Sequence, residues 1–130
     1  ISNFSNSSMH SRHNSAYWDG TEYLGLGPAA HSMLGGVRYG FDADIFKFIN
    51  KEDFEFDISE AIDDPLFEKI MLGLRTSRGV PLDNFKHSQD YIKRLCDGGF
   101  SVVTDGVLRL TDRGFYLSNT IISDITAKEC

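Results

Sequence analysis

The stretch FSVVTDGVLRLT, residues 100–111, decides the fold of the C-terminal half of this chain. Phe100–Thr104 and Val107–Leu110 are two short runs of strand-forming residues, and Asp105-Gly106 between them is a strong signal for a two-residue hairpin turn. Thr111 then serves as the cap of a last helix. That helix is expected to bury the apolar residues Phe115, Leu117, Ile121, Ile122 and Ile125.

Three helices are predicted upstream of this hairpin. The first begins at Asp64-Pro65, where a capping carboxylate precedes proline at the first helical position. A short second helix is expected at Pro81–Phe85, and Ser88 caps a third that ends at Gly98-Gly99. Over residues 64–126 the order is therefore helix, short helix, helix, hairpin, helix, which is the winged-helix arrangement. The inward faces are expected to hold Leu66, Ile70, Met71 and Leu74 in the first helix, and Tyr91, Ile92 and Leu95 in the third.

The N-terminal part of the chain is different in character and rich in loops. We expect a strand end at Ile1–Ser5, a helical turn at His13–Trp18 that ends at Asp19-Gly20, and a buried strand at Glu22–Leu26. Gly35-Gly36 predicts a hairpin turn within residues 29–41. Asp42 is expected to cap a helix through Lys51 that buries Ile45, Phe46, Phe48 and Ile49. The fold class is therefore α+β, with two domains, 1–57 and 58–130, whose boundary lies in the acidic stretch from Glu52 to Asp63.

Composition excludes several classes of protein. The 130 residues are 41% hydrophobic, which is enough to form a hydrophobic core, and no apolar run is long enough for a membrane helix. The net charge of −6 opposes non-specific attraction to nucleic acid. Cys96 and Cys130 are expected to be reduced cytosolic thiols, and their spacing encodes no zinc or iron–sulfur site. Because the chain begins at Ile1, we expect it to be a piece of a longer protein.

The segment HNSAYW, residues 13–18, concentrates side chains that suit a ring-shaped cofactor. If it is helical, His13 and Tyr17 share one face at i and i+4, with Trp18 beside them. An imidazole and a phenol can both ligate a haem iron, and flat aromatic rings stack on a flat macrocycle. The alternative is that His13 makes a local hydrogen bond while Tyr17 and Trp18 fill core, and residue chemistry alone leaves both interpretations open.

The segment YLGLGPAAHS, residues 23–32, predicts a tight backbone turn after a strand. Its glycines allow close approach to a ligand, but Pro28 follows and the third glycine of a dinucleotide fingerprint is absent, so a Rossmann site is disfavoured. A turn that lines a pocket at the end of a barrel strand is the better functional alternative. His31 is a pocket acid, a ligand or a structural histidine on this reasoning, while His10 and His87 are expected at the surface.

Several motifs together resemble the C-terminal part of the radical-SAM HemN/HemW family, which includes haem chaperones and oxygen-independent coproporphyrinogen III oxidases. They are ISNFS, RHNSAYW, YLGLGPAAHS, the pair RY at 38–39, EKIMLGLR at 68–75 and RLTDRGFYLSN at 109–119, and they span nearly the whole chain. The resemblance implies the end of a partial (β/α) barrel over 1–57, followed by a winged-helix-like domain over 58–130. In this family HNxxYW marks the haem chaperones rather than the oxidases.

The resemblance also implies a set of site residues. His13, Asn14, Tyr17 and Trp18 are the haem motif, with His13 as the iron contact, and Gly25, Gly27 and Ala29 are expected to lie near the S-adenosylmethionine pocket. The cysteine motif that holds the family's 4Fe–4S cluster is not in this chain, so no catalytic residue is assigned and radical chemistry would need the longer parent. The implied function is haem binding and delivery in porphyrin metabolism, in the cytoplasm.

The expected partners follow from the same resemblance. They are haem or a porphyrin and the N-terminal barrel of the parent chain, with no membrane span and no nucleic acid. A strand edge at Ile1–Phe4 would favour self-association. Two rival functions are kept: the C-terminal region of a true coproporphyrinogen oxidase, and a winged-helix module that docks nucleic acid or protein.

Overall fold

The computed structural model describes residues 5–6, 9–50, 56–62 and 64–130. Contacts divide the chain into two units, which are described separately: Arg12–Asp63, and Asp64–Cys130 together with the described part of Ile1–Ser11. The strand edge predicted at Ile1–Phe4, and with it most of the strand end predicted at Ile1–Ser5, lies outside the described residues, as do residues 52–55 and 63 of the acidic stretch.

The smaller unit, Arg12–Asp63, contains two helices and a three-stranded antiparallel sheet in the order β1-β2-β3. The strands β1 and β2 are joined by Gly35-Gly36, whose φ values of 58° and 75° confirm the predicted turn. Both values lie in the left-handed region that glycine adopts without a steric penalty. The elements are α1 (Arg12–Asp19), β1 (His31–Leu34), β2 (Val37–Gly40), α2 (Ile45–Ile49) and β3 (Ile58–Ala61).

The helix α2 differs from its prediction in both its cap and its burial. Asp44, not Asp42, caps the helix by accepting hydrogen bonds from the backbone N–H groups of Phe46 and Lys47. Asp42 lies outside the helix and forms an ion pair with Lys47 at 2.9 Å. The predicted burial is wrong for three residues, because Ile45, Phe46 and Ile49 are 54%, 73% and 67% exposed.

Phe41 lies at the centre of a cluster of aromatic rings in the smaller unit. Its side chain is 6% exposed, and the rings of Phe48 and Phe56 pack against it at centroid distances of 5.3 Å and 5.0 Å. Phe48 thus connects α2 to this cluster, while Ile45, Phe46 and Ile49 of the same helix are mostly exposed.

The larger unit contains most of the regular structure. Its sheet is antiparallel with the order β4-β6-β5, so β5 is an edge strand and β6 is central. The predicted sequence of helix, short helix, helix, hairpin and helix is present. The elements are α3 (Pro65–Gly73), β4 (Val80–Pro81), a 3₁₀ turn (Leu82–Asn84), α4 (Gln89–Asp97), β5 (Ser101–Thr104), β6 (Val107–Leu110), α5 (Asp112–Tyr116) and α6 (Ser118–Glu129).

Local turn and cap chemistry in this unit follows the sequence. The Asp64 carboxylate accepts hydrogen bonds from the backbone N–H groups of Leu66 and Phe67 at 2.9 Å and 3.0 Å, so α3 begins where predicted. Asp105 and Gly106 have φ values of 54° and 72°, which confirms the hairpin turn. The last helix is not continuous, because Leu117 leaves helical geometry (φ −108°, ψ 14°) and is 48% exposed instead of buried.

The hydrophobic core of the larger unit contains residues from both its helices and its sheet. Ile70 of α3, Leu74 just after it, Leu108 of β6 and Ile125 of α6 are completely buried. The expectation of an α+β fold is confirmed. The buried cluster consists of Ile70, Leu74, Val80, Phe85, Ile92, Leu95, Leu108, Leu110, Ile121, Ile122 and Ile125.

The carboxylate of Glu129, near the end of α6, binds the backbone of the segment that leads into α4. It accepts hydrogen bonds from the backbone N–H groups of Lys86, His87 and Ser88 at 2.9, 2.8 and 2.7 Å. Partial burial works against ionisation, but these amide donors outweigh it and lower the pKa of Glu129 below its ordinary value. The charge of Glu129 thus ties α6 to the N-terminus of α4, where the helix dipole also favours an anion.

We expect Glu129→Gln to lower the free energy of unfolding by about 1–2 kcal/mol at pH 7, because weaker hydrogen bonds to a neutral amide replace hydrogen bonds to a charged acceptor. Because the folded state lowers the pKa, the stabilisation is present above the ordinary glutamate pKa of about 4.3 and is lost as the pH falls through the lower folded value. The difference between wild type and variant should therefore shrink toward pH 3. Urea unfolding at several pH values measures it, and the exposed Asp83→Asn is the control. An equal pH dependence in wild type and Glu129→Gln would contradict this role.

Candidate functional site

The helix α1 brings an imidazole and a phenol together. His13 and Tyr17 lie one turn apart, with Tyr17 Oη 3.1 Å from His13 Nε2 and the ring centroids 5.2 Å apart in an edge-on arrangement. The helix ends at Gly20, whose φ is 76°, as the sequence predicted. Beyond it, the backbone N–H and the hydroxyl of Thr21 donate to Asp19 Oδ1 at 3.1 Å and 2.6 Å, which fixes the path of the chain away from the helix.

A third ring, that of Tyr23, supports this pair. The centroids of Tyr17 and Tyr23 are 4.4 Å apart with an interplanar angle of 67°. Tyr23 is itself held against the sheet, because its backbone N–H and carbonyl exchange hydrogen bonds of 3.0 Å and 2.9 Å with Met33 of β1. His13, Tyr17 and Tyr23 therefore form a line of three rings anchored on β1, which we call the ring row.

The ring row is open to solvent at the end that carries its ligand atoms. His13 is exposed and Tyr17 is 40% exposed, whereas Tyr23 is half-buried. The alternative to a cofactor site was that His13 makes a local hydrogen bond while Tyr17 and Trp18 fill the core. The hydrogen bond is present, but Tyr17 is too exposed to be part of the core. An exposed imidazole beside two aromatic rings can offer a metal ligand together with surfaces for stacking.

The other two residues of the HNSAYW segment lie around the helix from this pair. With about 100° of rotation per residue, Asn14 is about 100° and Trp18 about 140° from His13, and both are half-buried. Among the described residues, the Trp18 indole makes no ring contact with His13 or Tyr17. The four residues therefore form two i, i+4 pairs on adjoining parts of α1 rather than one cluster.

The glycine turn after Tyr23 folds back onto β1. Gly25 lies so close to His31 that a Cβ there would come within 2.2 Å of the His31 carbonyl oxygen, and the Gly25 N–H donates to the fully buried Ser32 Oγ at 3.0 Å. The Ala29 N–H donates to the Asp42 carbonyl at 3.1 Å. Gly27, with a φ of 114°, has open space around it. Two of the three residues predicted near a pocket thus use their amides internally, and Gly27 is the position with room beside it.

The buried strand predicted at Glu22–Leu26 is wrong. Only Tyr23 pairs with β1, and Leu24 and Leu26 are 61% and 82% exposed. The chain turns immediately after Tyr23, because Gly25 packs on His31, and the alternating pattern therefore never becomes a paired strand.

The remaining histidines lie elsewhere and do not join the ring row's hydrogen bonds. His31 is exposed at the start of β1, His10 is exposed and its Nδ1 is 2.7 Å from Ser5 Oγ, and His87 is exposed beside α4. Within the described ranges, no group of three or more His, Cys, Asp or Glu residues is arranged to hold a metal ion. In the same part of the chain, no helix has the length and apolar character needed to cross a membrane.

Sequence reasoning missed Tyr23 as a site residue. The spacing of His13 and Tyr17 on a helix revealed their contact, but the position of Tyr23 depends on its pairing with Met33, which is ten residues further along the chain. The only signal in the sequence was the alternation of apolar residues around Tyr23. It indicated that this segment pairs with a strand, but not that the Tyr23 ring would pack against Tyr17.

Comparison with known proteins gives three findings. Residues 62–117 match the family model of the HemN C-terminal domain. The chain is 28% identical over 93% of its length to a protein named heme chaperone HemW from Lactococcus lactis, and 27% identical over 93% of its length to the heme chaperone HemW of Bacillus subtilis. It spans only 35% and 36% of those two relatives, about a third of each. No solved structure matches the chain.

Proposed function

We propose that the protein binds haem at the ring row and delivers it to an acceptor, because residues 62–117 match the HemN C-terminal domain model and 93% of the chain is similar to heme chaperone HemW proteins. The observation that supports this most directly is the exposed His13 imidazole, held beside Tyr17 and Tyr23 on α1. The relatives' printed names give haem as the cargo of those proteins, and the chemistry of the ring row fits the same cargo.

The donor set suits an iron porphyrin. His13 would supply the imidazole ligand, and Tyr17 and Tyr23 would supply aromatic surface for the flat macrocycle. Trp18 and Asn14 would border the group from the adjoining part of α1. Bound haem would be cargo, so the task of this chain's residues is to hold it and release it.

S-adenosylmethionine and a 4Fe–4S cluster belong, in this proposal, to the rest of a HemW-like protein. The chain has two cysteines, Cys96 and Cys130, and no cluster motif. Gly25, Gly27 and Ala29 would lie near the S-adenosylmethionine pocket. Gly27 is the best placed of the three, since nothing lies within 4 Å of the position of its missing Cβ.

We further propose that residues 1–57 end a partial (β/α) barrel and that residues 58–130 form a winged-helix-like domain. Support for the barrel comes from the apolar surface of the smaller unit. Ile45, Phe46 and Ile49 on α2 are all more than half exposed, and so are Leu24 and Leu26. A surface of this kind is expected where further strands and helices of the same protein would pack. With reduced thiols, the cytoplasm is the proposed location.

The nucleic-acid version of the docking hypothesis has little support in the larger unit. Arg109 donates to the carbonyls of Ser77 and Thr104, and Arg113 lies 4.9 Å from the centre of the Phe100 ring, so both side chains already bind within the unit. The backbone amides of Lys86, His87 and Ser88, just before α4, bind Glu129. The oxidase alternative would be decided by assaying a full-length protein for decarboxylation of coproporphyrinogen.

We expect His13→Ala to weaken haemin binding by about 10–100-fold, because in metal sites the loss of a residue that only hydrogen-bonds to a ligand already costs that much. Haemin titration followed by the Soret absorbance measures the change. The matched control is His31→Ala, which removes another exposed histidine from the same unit and should titrate like wild type. Identical titrations of wild type and His13→Ala, or a loss confined to His31→Ala, would contradict the proposal.

A further inference from the structure

We propose that Tyr17 masks the iron-binding nitrogen of His13 until a ligand displaces it, so that Tyr17 is a positioning residue that regulates the site. The inference rests on the proposed haem-binding function and adds a regulatory step to it. Its basis is the 3.1 Å contact between Tyr17 Oη and His13 Nε2, made across one turn of α1. Nε2 is the ring nitrogen farther from the backbone, and hence the one that an incoming planar macrocycle reaches most easily.

Both neutral tautomers of His13 lead to the same conclusion. If Nδ1 carries the proton, the Tyr17 hydroxyl donates to the Nε2 lone pair, which is the electron pair that an iron atom would need. If Nε2 carries the proton, it donates to the Tyr17 oxygen and has no lone pair to offer. In either case ligation at Nε2 requires that the Tyr17 contact be broken.

Tyr23 makes the masked arrangement the resting one. The Tyr17 ring packs edge-on against Tyr23 at 4.4 Å, and the backbone of Tyr23 is bonded to Met33 in both directions. The phenol of Tyr17 is therefore held beside His13 by a neighbour that is itself fixed to β1, and not only by its own hydrogen bond. Displacing Tyr17 breaks its hydrogen bond and its edge-on ring contact with His13 and loosens its ring contact with Tyr23, while α1 and β1 remain in place.

The free energy needed to break the Tyr17–His13 hydrogen bond is small enough for this contact to regulate ligand binding. A hydrogen bond of this kind contributes a modest net free energy, which corresponds to about a two- to tenfold change in affinity. Tyr17→Phe keeps the ring on Tyr23 and removes only the hydroxyl. The variant is therefore expected to bind haemin about two- to tenfold more tightly than wild type.

A measurement without haem tests the masking directly. Diethyl pyrocarbonate modifies unprotonated histidine nitrogens, and mass spectrometry of the peptide that carries His13 gives the rate. We expect His13 in Tyr17→Phe to react about two- to tenfold faster than in wild type, in line with the lost hydrogen bond. The control is Tyr39→Phe, which removes a phenol from β2 of the same unit, where the ring packs on Phe56, and it should leave the rate unchanged.

The two measurements separate the two proposals. Equal modification rates in wild type and Tyr17→Phe would overturn the masking, whatever the protein does with haem. Faster modification with unchanged or weaker haemin binding would overturn the regulatory step and make Tyr17 a contact of the bound group. A His13→Ala variant that still titrates like wild type would instead overturn the haem site, and the modification rates would then decide the masking alone.

Discussion

Replacing Phe85 with alanine is expected to lower the free energy of unfolding by about 3–5 kcal/mol, the range seen for large aromatic residues removed from cores. Phe85 is 2% exposed and is the largest fully buried side chain among the described residues. It follows the 3₁₀ turn, where its backbone N–H donates to the Leu82 carbonyl at 2.9 Å. Because this backbone is held in place, the neighbours cannot collapse fully into the space, and the cavity adds to the lost burial.

The matched control is Phe67→Ala, which makes the same change on α3 of the same unit at a side chain that is 42% exposed. Since much of the Phe67 ring already contacts water, its loss should cost about 1 kcal/mol. Urea unfolding followed by circular dichroism, with hydrogen exchange of the α3 and α4 amides, measures both variants. Equal losses in the two would show that Phe85 does not occupy the core as described.

Gly25→Ala is expected to break the turn that positions Tyr23. The new Cβ would come within 2.2 Å of the His31 carbonyl oxygen and within 3.0 Å and 3.1 Å of two more backbone atoms of His31, so no side-chain rotation relieves the overlap. The Gly25 N–H would also leave the buried Ser32 Oγ, and an unsatisfied buried polar group costs about 1–3 kcal/mol. With the overlap added, we expect the smaller unit to lose about 3 kcal/mol or more of stability.

The control for this variant is Gly35→Ala in the turn between β1 and β2. Gly35 has a φ of 58° and nothing within 4 Å of the added Cβ, so only the left-handed backbone penalty of about 1–2 kcal/mol applies. Hydrogen exchange of the Tyr23 and Met33 amides is the readout. Full protection of both amides in Gly25→Ala would contradict the close packing of Gly25 on His31.

The parts of the fold that were predictable are those decided by local chemistry. Asp105-Gly106 and Gly35-Gly36 adopt positive φ values that few other residue pairs tolerate, and the two consecutive residues Asp64 and Pro65 supply a cap and a fixed φ. The exposure of α2 could not be predicted, because an apolar pattern shows which face of a helix is hydrophobic but not whether other residues pack against that face. The break at Leu117 was missed for a related reason, since the apolar pattern continues across it.

The candidate site divides in the same way. The i, i+4 spacing of His13 and Tyr17 predicted their contact once α1 was assumed, and the same geometry separates Trp18 from them. The third ring could not be predicted, since Tyr23 reaches Tyr17 only because a turn of the chain pairs it with Met33. Long-range pairing of this sort leaves little trace in a single sequence.

The place of Trp18 on α1 has a practical consequence. It is the only tryptophan in the chain, and it lies on the same short helix as His13. An iron porphyrin absorbs strongly where indole emits, so binding of one at this helix would quench the fluorescence of Trp18. The molecule would thus carry its own optical reporter at the proposed haem site, and no dye needs to be attached.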